Sequence, residues 1–248
     1  MSDLALTWRQ YRLERRLFWR NPTAAFFNFL FPLIFLALFG SISSGDQETL
    51  DVIVPGIAGM SIVSATFTAL AYNITALRDM GVLKRLRGTP LPTLSWLGGV
   101  MANAVTNAGI QIAIVIVAGH AFWNVDGLAA PLELVIFLAV GVGCFAALGV
   151  AFSHVIPNVD SAPAYVNVVF LPAIAISGVF YDVNDGPAFL RDVAQVLPLK
   201  HLIDGLHAAM VTGAPLSDNL GNLAVLAVWG AVGVVFAVRG FSWESRRS

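Results

Sequence analysis

Residues 76–92 of the chain read ALRDMGVLKRLRGTPLP, and this short basic stretch separates two long uncharged ones. It holds four of the fourteen lysine and arginine residues and a single acid, Asp79. Gly88 and Pro90 are of the types that end a helix, so the stretch predicts a short basic helix between two apolar segments. We interpret it as the element through which a soluble partner acts on a membrane-embedded protein.

The composition is typical of a polytopic membrane protein. Of the 248 residues, 57% are apolar and 12% are charged, and the mean hydropathy is +0.77. A soluble domain has about 25% charged residues, which this chain lacks. Cys144 is the only cysteine, so the sequence excludes a disulfide framework and a thiolate metal cluster. The first twenty residues hold five arginines and no apolar core, so they do not resemble a secretory signal.

Residues 3–20 have the pattern of an amphipathic helix. At about 100° per residue, Arg9, Arg12, Arg16 and Arg20 form one stripe, with aromatic and leucine residues beside it. This pattern predicts a helix that lies in the membrane interface with its basic face toward anionic headgroups. The alternative is a solvated basic helix that packs on the rest of the protein.

Six uncharged runs, each close to the roughly 20 residues needed to cross a bilayer, predict an all-α protein with six transmembrane helices. The predicted spans are about 23–42, 54–76, 95–119, 133–153, 161–181 and 220–238, in a single domain over 1–248. Segment 182–219 predicts two short helices that dip back into the outer half of the membrane. A small external cap is the alternative reading of this segment.

Charge distribution predicts the orientation of the spans. The N-terminal segment, the 77–94 loop, the 154–160 loop and the C-terminal tail hold twelve of the fourteen basic residues. Only Arg191 and Lys200 fall on the opposite side, together with ten of the fifteen acids. Because basic residues concentrate on the cytoplasmic side, both termini are predicted to be cytoplasmic.

Several motifs are missing from the sequence. It contains no GxxxxGK[ST] loop, no HExxH and no CxxC, and no acid lies deep in a predicted span. We therefore predict no catalytic, cofactor-binding or metal-binding residue on this chain, and an energy source on a partner. His201, Asp204 and His207 are the best cluster for the alternative, a membrane-embedded lipid-modifying enzyme. A structural subunit of another complex also stays open.

Polar and aromatic residues inside the spans either line a cavity or join helices, and the sequence does not separate the two roles. Candidates for lining a transport pathway are Phe67, Tyr72, Asn73, Tyr165, Asn167 and Ser177. Further in-span polar residues are Asn103, Thr106, Asn107 and Gln111. Small residues at Ala139, Gly143, Ala147 and Ala151 favour close packing of span four, preferably on span six with its Gly230 and Gly233.

Three stretches resemble a known family. The first is the arginine-rich N-terminal segment that runs into Arg20-Asn21-Pro22. The second, RDMGVLKRLRGTPL at 78–91, is similar to the pattern R-E-x-G-x-L-K-R-L-R-x-T-P-L, with Asp79 in place of the usual glutamate. The third runs from Pro172 through SGVFY at 177–181 to LPL at 197–199 and DGL at 204–206. Together they resemble ABC-2 type transporter permeases, the membrane subunits of type V ABC exporters, in the drug- and antibiotic-exporter branch.

The resemblance implies a role for each stretch. A coupling helix would sit in a groove of a separate nucleotide-binding subunit, which would carry ATP and Mg. It would comprise Arg78, Asp79, Gly81, Leu83, Lys84, Arg85, Leu86, Arg87, Gly88, Thr89 and Pro90. An external gate would comprise Phe180, Tyr181, Pro198, His201 and Asp204.

The resemblance also implies an assembly and a cargo. Two permeases, identical or homologous, would meet two ATPase subunits and form a pathway mainly between spans two and five. The complex would move an amphipathic drug, antibiotic or lipid-like compound out of the cytoplasm across a bacterial inner membrane. Membrane lipids are the other expected partners, and nucleic acid is not among them.

Overall fold

The structure is a computed structural model that describes residues 2–43, 46–89, 91–123, 125, 128–183 and 186–240. These residues form helices and connections, with no β-strand among them. The helices are α1 Asp3–Trp19, α2 Pro22–Ile42, α3 Gln47–Val63, α4 Ala69–Asp79, α5 Val82–Arg87, α6 Thr93–Trp123, α7 Pro131–Phe152, α8 Ala162–Ile176, α9 Ala188–Ala194, α10 Pro198–His207 and α11 Leu220–Gly240.

Wider or tighter turns extend three of these helices. A π-helical turn at Ser64–Thr68 joins α3 to α4, so that residues 47–79 form one continuous helix. A second π-helical turn, Ala208–Thr212, follows α10, and a 3₁₀ turn at Leu216–Asn219 leads into α11. Single π turns inside helices are rare and are found frequently at functional sites.

Five helical segments in the described part of the chain are long and apolar enough to cross a membrane. They are Ala25–Ile42, Gln47–Asp79, Thr93–Trp123, Pro131–Phe152 and Leu216–Arg239. The sixth predicted span corresponds to α8, which has only 15 residues. The protein is therefore all-helical in these regions, with five to six apolar helices, as the sequence predicts for a polytopic membrane protein.

Two predicted span boundaries differ from the structure. The fifth span was expected to continue to residue 181, but α8 ends at Ile176 because Gly178 adopts φ 76°, a left-handed conformation that stops a helix. The second span was expected to begin near residue 54, but α3 begins at Gln47. Asp46 caps this helix by accepting a hydrogen bond from the Thr49 backbone amide at 3.5 Å.

Polar residues of α6 join it to α1 and α2. The Arg15 guanidinium donates hydrogen bonds to the side-chain oxygens of Asn107 and Asn103, and the Thr106 hydroxyl bonds the Tyr11 hydroxyl at 3.2 Å. Gln111 donates to the backbone oxygen of Asn28 in α2 at 3.2 Å. These in-span polar residues therefore connect helices, one of the two roles that the sequence left open.

Close packing of α7 against α11 forms much of the core. A Cβ added to Gly233 would lie 2.9 Å from the backbone of Ala147, and one added to Gly230 would lie 3.4 Å from the Cα of Cys144. The preferred pairing of spans four and six is thus present at Ala147. Gly143 and Ala139, in contrast, are exposed, so the small-residue stripe is only half used.

Helix α10 packs lengthwise between α3 and α7. Its first turn meets Gly59, where an added Cβ would lie 3.6 Å from Leu199 and 2.9 Å from Ile203. Further along, a Cβ at Gly141 would lie 2.6 Å from Leu202, and Gly205 lies directly against the ring of Phe137. At the far end the Ala130 amide donates to the Ala209 oxygen at 2.8 Å. The two short helices expected within 182–219 are therefore present as α9 and α10, in register with α7.

Candidate functional site

The basic hairpin begins with a sharp turn after α4. Gly81 adopts φ 67°, a conformation that glycine reaches without a Cβ clash, and α5 follows at once. Leu83 is completely buried in a cluster with Ile74, Trp96 and Val150. Because Leu83 anchors one face of α5, Lys84 and Arg85 lie on the exposed opposite face.

Arg78 has a different role from the other basic residues of the hairpin. It is only 4% exposed, and its guanidinium donates to the backbone oxygens of Ser153, at 2.9 Å, and of Ile156. The adjacent Asp79 carboxylate accepts a hydrogen bond from the Val159 amide at 2.7 Å. The two residues therefore join the hairpin to the loop between α7 and α8, and Arg78 is not exposed to a partner subunit as the resemblance implied.

The exposed end of the hairpin is stabilised by local bonds. Arg85 donates to the Met80 oxygen at 3.2 Å and to the Gly81 oxygen at 3.4 Å, which satisfies carbonyls where α4 ends. The Thr89 hydroxyl donates to the Leu86 oxygen at 2.7 Å, and Gly88 is exposed. Pro90 and the side chain of Arg87 lie outside the residues that the structure describes. The accessible surface of the hairpin thus comprises Met80, Lys84, Arg85, Gly88 and Thr89.

The predicted gate residues divide between an aromatic stack and a polar group. Phe180 stacks on Phe39, with ring centroids 4.4 Å apart, and the Tyr181 hydroxyl donates to the Ala175 oxygen at 2.8 Å. Asp204 forms an ion pair with Lys200. His201 is held between the side chain of Asn222 and the backbone oxygen of Gln195, both at 2.8 Å.

Pro198 is buried at the start of α10, away from the polar group. A cavity of about 160 Å³ at the polar group is lined by Ser177, Tyr181, Asp182, Lys200, Asp204 and His207, among others. No cluster of three histidine, cysteine or acidic residues suited to a metal ion occurs in the part of the chain with described positions.

The six candidate pathway residues do not come together in one chain. Phe67 lines an apolar cavity between α7, α8 and α11, whereas Ser177 lines the external polar cavity. Tyr72, Tyr165 and Asn167 are exposed on the helix surface, and Asn73 is half-buried beside them. A pathway that included all six would need a second chain to cover the exposed ones.

Family comparison agrees with this arrangement. A family model described as "ABC-2 type transporter" matches residues 3–211, which is most of the chain. The chain belongs to the ABC-2 type transporter family. The ABC-2 match extends from α1 through the hairpin to the end of the π-helical turn after α10, so it covers the elements described above.

Individual ABC-2 relatives are distant but named as transport proteins. The linearmycin resistance permease protein LnrN of Bacillus subtilis is 22% identical over 177 residues, which cover 71% of this chain and 46% of the relative. Nodulation protein J of Rhizobium leguminosarum bv. viciae is 27% identical over 177 residues, covering 70% and 66%. The probable multidrug ABC transporter permease YbhR of Escherichia coli is 26% identical over 153 residues, covering 61% and 41%. The chain thus matches between 41% and 66% of the length of these relatives.

Sequence reasoning missed two features of the site. The first is the α7–α8 loop as the partner of Arg78 and Asp79, whose only signal was its predicted position on the same side as the hairpin. The second is the apolar cavity, whose lining residues come from α7, α8, α10 and α11. Their apolar character follows from the sequence, but the gap between the helices does not.

Proposed function

We propose that this ABC-2 chain is the permease subunit of an ATP-driven exporter, energised by a separate nucleotide-binding subunit. One observation carries the proposal: the hairpin has an exposed basic face with Lys84 and Arg85, and a buried face bonded to the α7–α8 loop. A partner that moved the exposed face would therefore move the start of α8 as well. ATP and Mg belong to that partner subunit.

The position of α10 supports a re-entrant external pair. Trp229 lies nine residues into α11, about 14 Å along its axis, and its indole donates to the Val196 oxygen at 2.9 Å. Gly141, which meets Leu202, lies about 15 Å along α7 by the same measure. These depths are about half of the roughly 30 Å hydrocarbon core, so α10 begins near the membrane midplane and returns outward. In this role Phe180, Tyr181, Pro198, His201 and Asp204 close the exit.

The exposed residues of α1 support an interfacial position for this helix. Leu13, Leu17 and Trp19 are about half exposed, and Arg16 and Arg20 are exposed beside them. An apolar surface next to a basic one suits the boundary between acyl chains and anionic headgroups. Both termini then lie on the cytoplasmic side of a bacterial inner membrane, the side of the basic hairpin.

We further propose that two permeases assemble with two ATPase subunits. Tyr72, Tyr165 and Asn167 are exposed on α4 and α8, and a second permease would cover them and complete a pathway. The cargo is an amphipathic drug, antibiotic or lipid-like compound. The names of the relatives, among them a linearmycin resistance permease and a probable multidrug permease, favour this class. No contact in the described region favours the alternative of a lipid-modifying enzyme, since His201 and Asp204 are each engaged in structural bonds.

Charge reversal on the exposed face tests the proposal. Arg85→Glu would be compared with Arg16→Glu, a reversal of equal size on α1, after each variant is reconstituted in proteoliposomes with its ATPase. We expect Arg85→Glu to insert normally and to abolish cargo-stimulated ATP hydrolysis. Arg16→Glu should keep that stimulation. Full stimulation in Arg85→Glu, or a purified chain that binds no ATPase, would refute the proposed function.

A further inference from the structure

The largest cavity described in the protein lies inside the helical bundle and apart from the basic hairpin. It has a volume of about 370 Å³ and lies between α8 on one side and α7 and α11 on the other. Helix α8 packs along α4 and α9, so the space between it and α11 is left open. The aromatic residues Phe145, Phe152, Phe170, Trp229 and Phe236 form much of its wall.

The chemistry of the cavity points to a hydrocarbon ligand. All of its lining side chains are apolar, with the indole of Trp229 engaged by the Val196 oxygen. An apolar cavity of about 150 Å³ is enough to bind benzene, so a space of this size accepts a longer hydrocarbon segment. Such a segment gains about 0.8 kcal/mol for each buried methylene in place of water.

The cavity follows the direction of an acyl chain in a bilayer. Its lining begins at Val155, just after α7, and reaches Leu197, next to the Val196 oxygen that bonds Trp229 near the middle of α11. Val155, Val169 and Phe236 are also partly on the outer surface, with exposed fractions of 58%, 41% and 66%. The cavity is therefore accessible from the side, through the surface that faces the lipid.

A cation lies at the end of the cavity that a phosphate would reach. Arg239 follows Phe236 by three residues on α11, so both side chains lie on the same face of the helix. It is exposed in the last turn of α11, at the same end as Val155. A long arginine side chain at a helix end extends to the headgroup level and pairs with phosphate.

We propose that this cavity binds one acyl chain of a phospholipid from the leaflet on the Arg239 side, with the lipid phosphate at Arg239. The bound chain fills the space between α8 and α11, and in doing so stabilises the distance between the two helices. The proposal concerns a lipid site on the permease itself and does not rest on the proposed export function. Its test needs neither the ATPase subunit nor a cargo.

The experiment uses phosphatidylglycerol with a diazirine near the end of one acyl chain. The full-length protein is reconstituted in liposomes that contain this lipid, irradiated and mapped by peptide mass spectrometry. We expect labels on the α7, α8 and α11 residues that line the cavity. Labelling of the exposed α2 surface around Phe31 serves as the internal reference for ordinary surrounding lipid.

Two variants of equal size separate the cavity from the lipid-facing surface. Ala173→Phe fills the cavity, whereas Ala175→Phe adds the same ring to the exposed side of α8. We expect Ala173→Phe to lose cavity labelling relative to the α2 reference and Ala175→Phe to keep it. If Ala173→Phe fails to fold, Ala151→Leu fills the same space from α7.

Arg239 is tested separately. We expect Arg239→Gln to reduce cavity labelling and Arg239→Lys to retain it, because lysine preserves the positive charge. Cavity labelling that is equal in the wild type and Ala173→Phe would overturn the proposal, as would labelling confined to the exposed surface of α2.

Discussion

The guanidinium of Arg78 donates a hydrogen bond to the backbone oxygen of Ser153 at 2.9 Å, joining the basic hairpin to the α7–α8 loop. It also bonds the Ile156 oxygen, and the side chain is almost completely buried. A single arginine thus satisfies two carbonyls of a loop that has no regular structure of its own.

Removing this guanidinium is expected to destabilise the protein. Arg78→Leu keeps an apolar stem but leaves the oxygens of Ser153 and Ile156 without their donor, at about 1–3 kcal/mol for each unpaired buried group. Arg85→Leu is the matched control, because exposed substitutions usually change stability by less than about 0.5 kcal/mol. Thermal unfolding in detergent measures both. Equal melting temperatures for the two variants would contradict this role of Arg78.

Close packing at Gly205 makes a second prediction. A Cβ at this position would overlap the ring of Phe137, so Gly205→Ala should cost about 1–3 kcal/mol through overpacking. Gly143→Ala is the control, since no atom lies within 4 Å of an added Cβ there. Adding Phe137→Leu should recover part of the loss in Gly205→Ala. A double-mutant cycle with no coupling between positions 137 and 205 would show that the two residues do not pack in this way.

The bonds of Arg15 predict how α1 is held. Arg15→Leu removes the donor for Asn107 and Asn103, whereas Arg16→Leu changes an exposed neighbour. We expect faster amide hydrogen exchange throughout α1 in Arg15→Leu and wild-type exchange in Arg16→Leu. Exchange that is unchanged in both would mean that α1 is held by its apolar contacts alone.

Glu14 gives a prediction for pH. Burial raises the pKa of this α1 carboxyl, partly offset by the hydrogen bond from Gln10. The folded protein then binds the proton more tightly than the unfolded chain, so the charged carboxylate destabilises the fold above the raised pKa. This cost disappears as the pH falls below the ordinary pKa of glutamate.

Glu14→Gln should therefore raise the melting temperature at neutral pH and change it little near pH 4. Glu48→Gln, on α3, is the control. A gain for Glu14→Gln that is the same at both pH values would contradict a protonation effect and point to packing.

Much of the fold follows from hydropathy and chain-breaking residues. The uncharged runs gave α2, α6, α7 and α11 nearly to their ends, and Gly81 and Pro198 marked the short helices α5 and α10. The end of α8 was predicted five residues too late, because an apolar run does not reveal that Gly178 turns left-handed. The π-helical turn at Ser64–Thr68 also has no sequence signal, since its residues would suit an ordinary helix.

Less of the candidate site was predictable. The charge pattern identified the hairpin, but only the folded arrangement separates buried Arg78 from exposed Lys84 and Arg85. Likewise, the amides of α6 read equally well as pathway or as helix contacts until Arg15, Tyr11 and Asn28 are brought beside them. Such distinctions depend on which neighbour a side chain meets, and that is a property of tertiary packing.

The continuous helix over 47–79 has a mechanical consequence. At 1.5 Å per residue its 33 residues form a rod about 50 Å long, with α10 braced against its upper half at Gly59 and the hairpin at its foot. A tilt imposed at the foot would reach the outer end without any intervening joint other than the wide turn at Ser64–Thr68. That turn sets how much of a push is transmitted and how much is absorbed as bending.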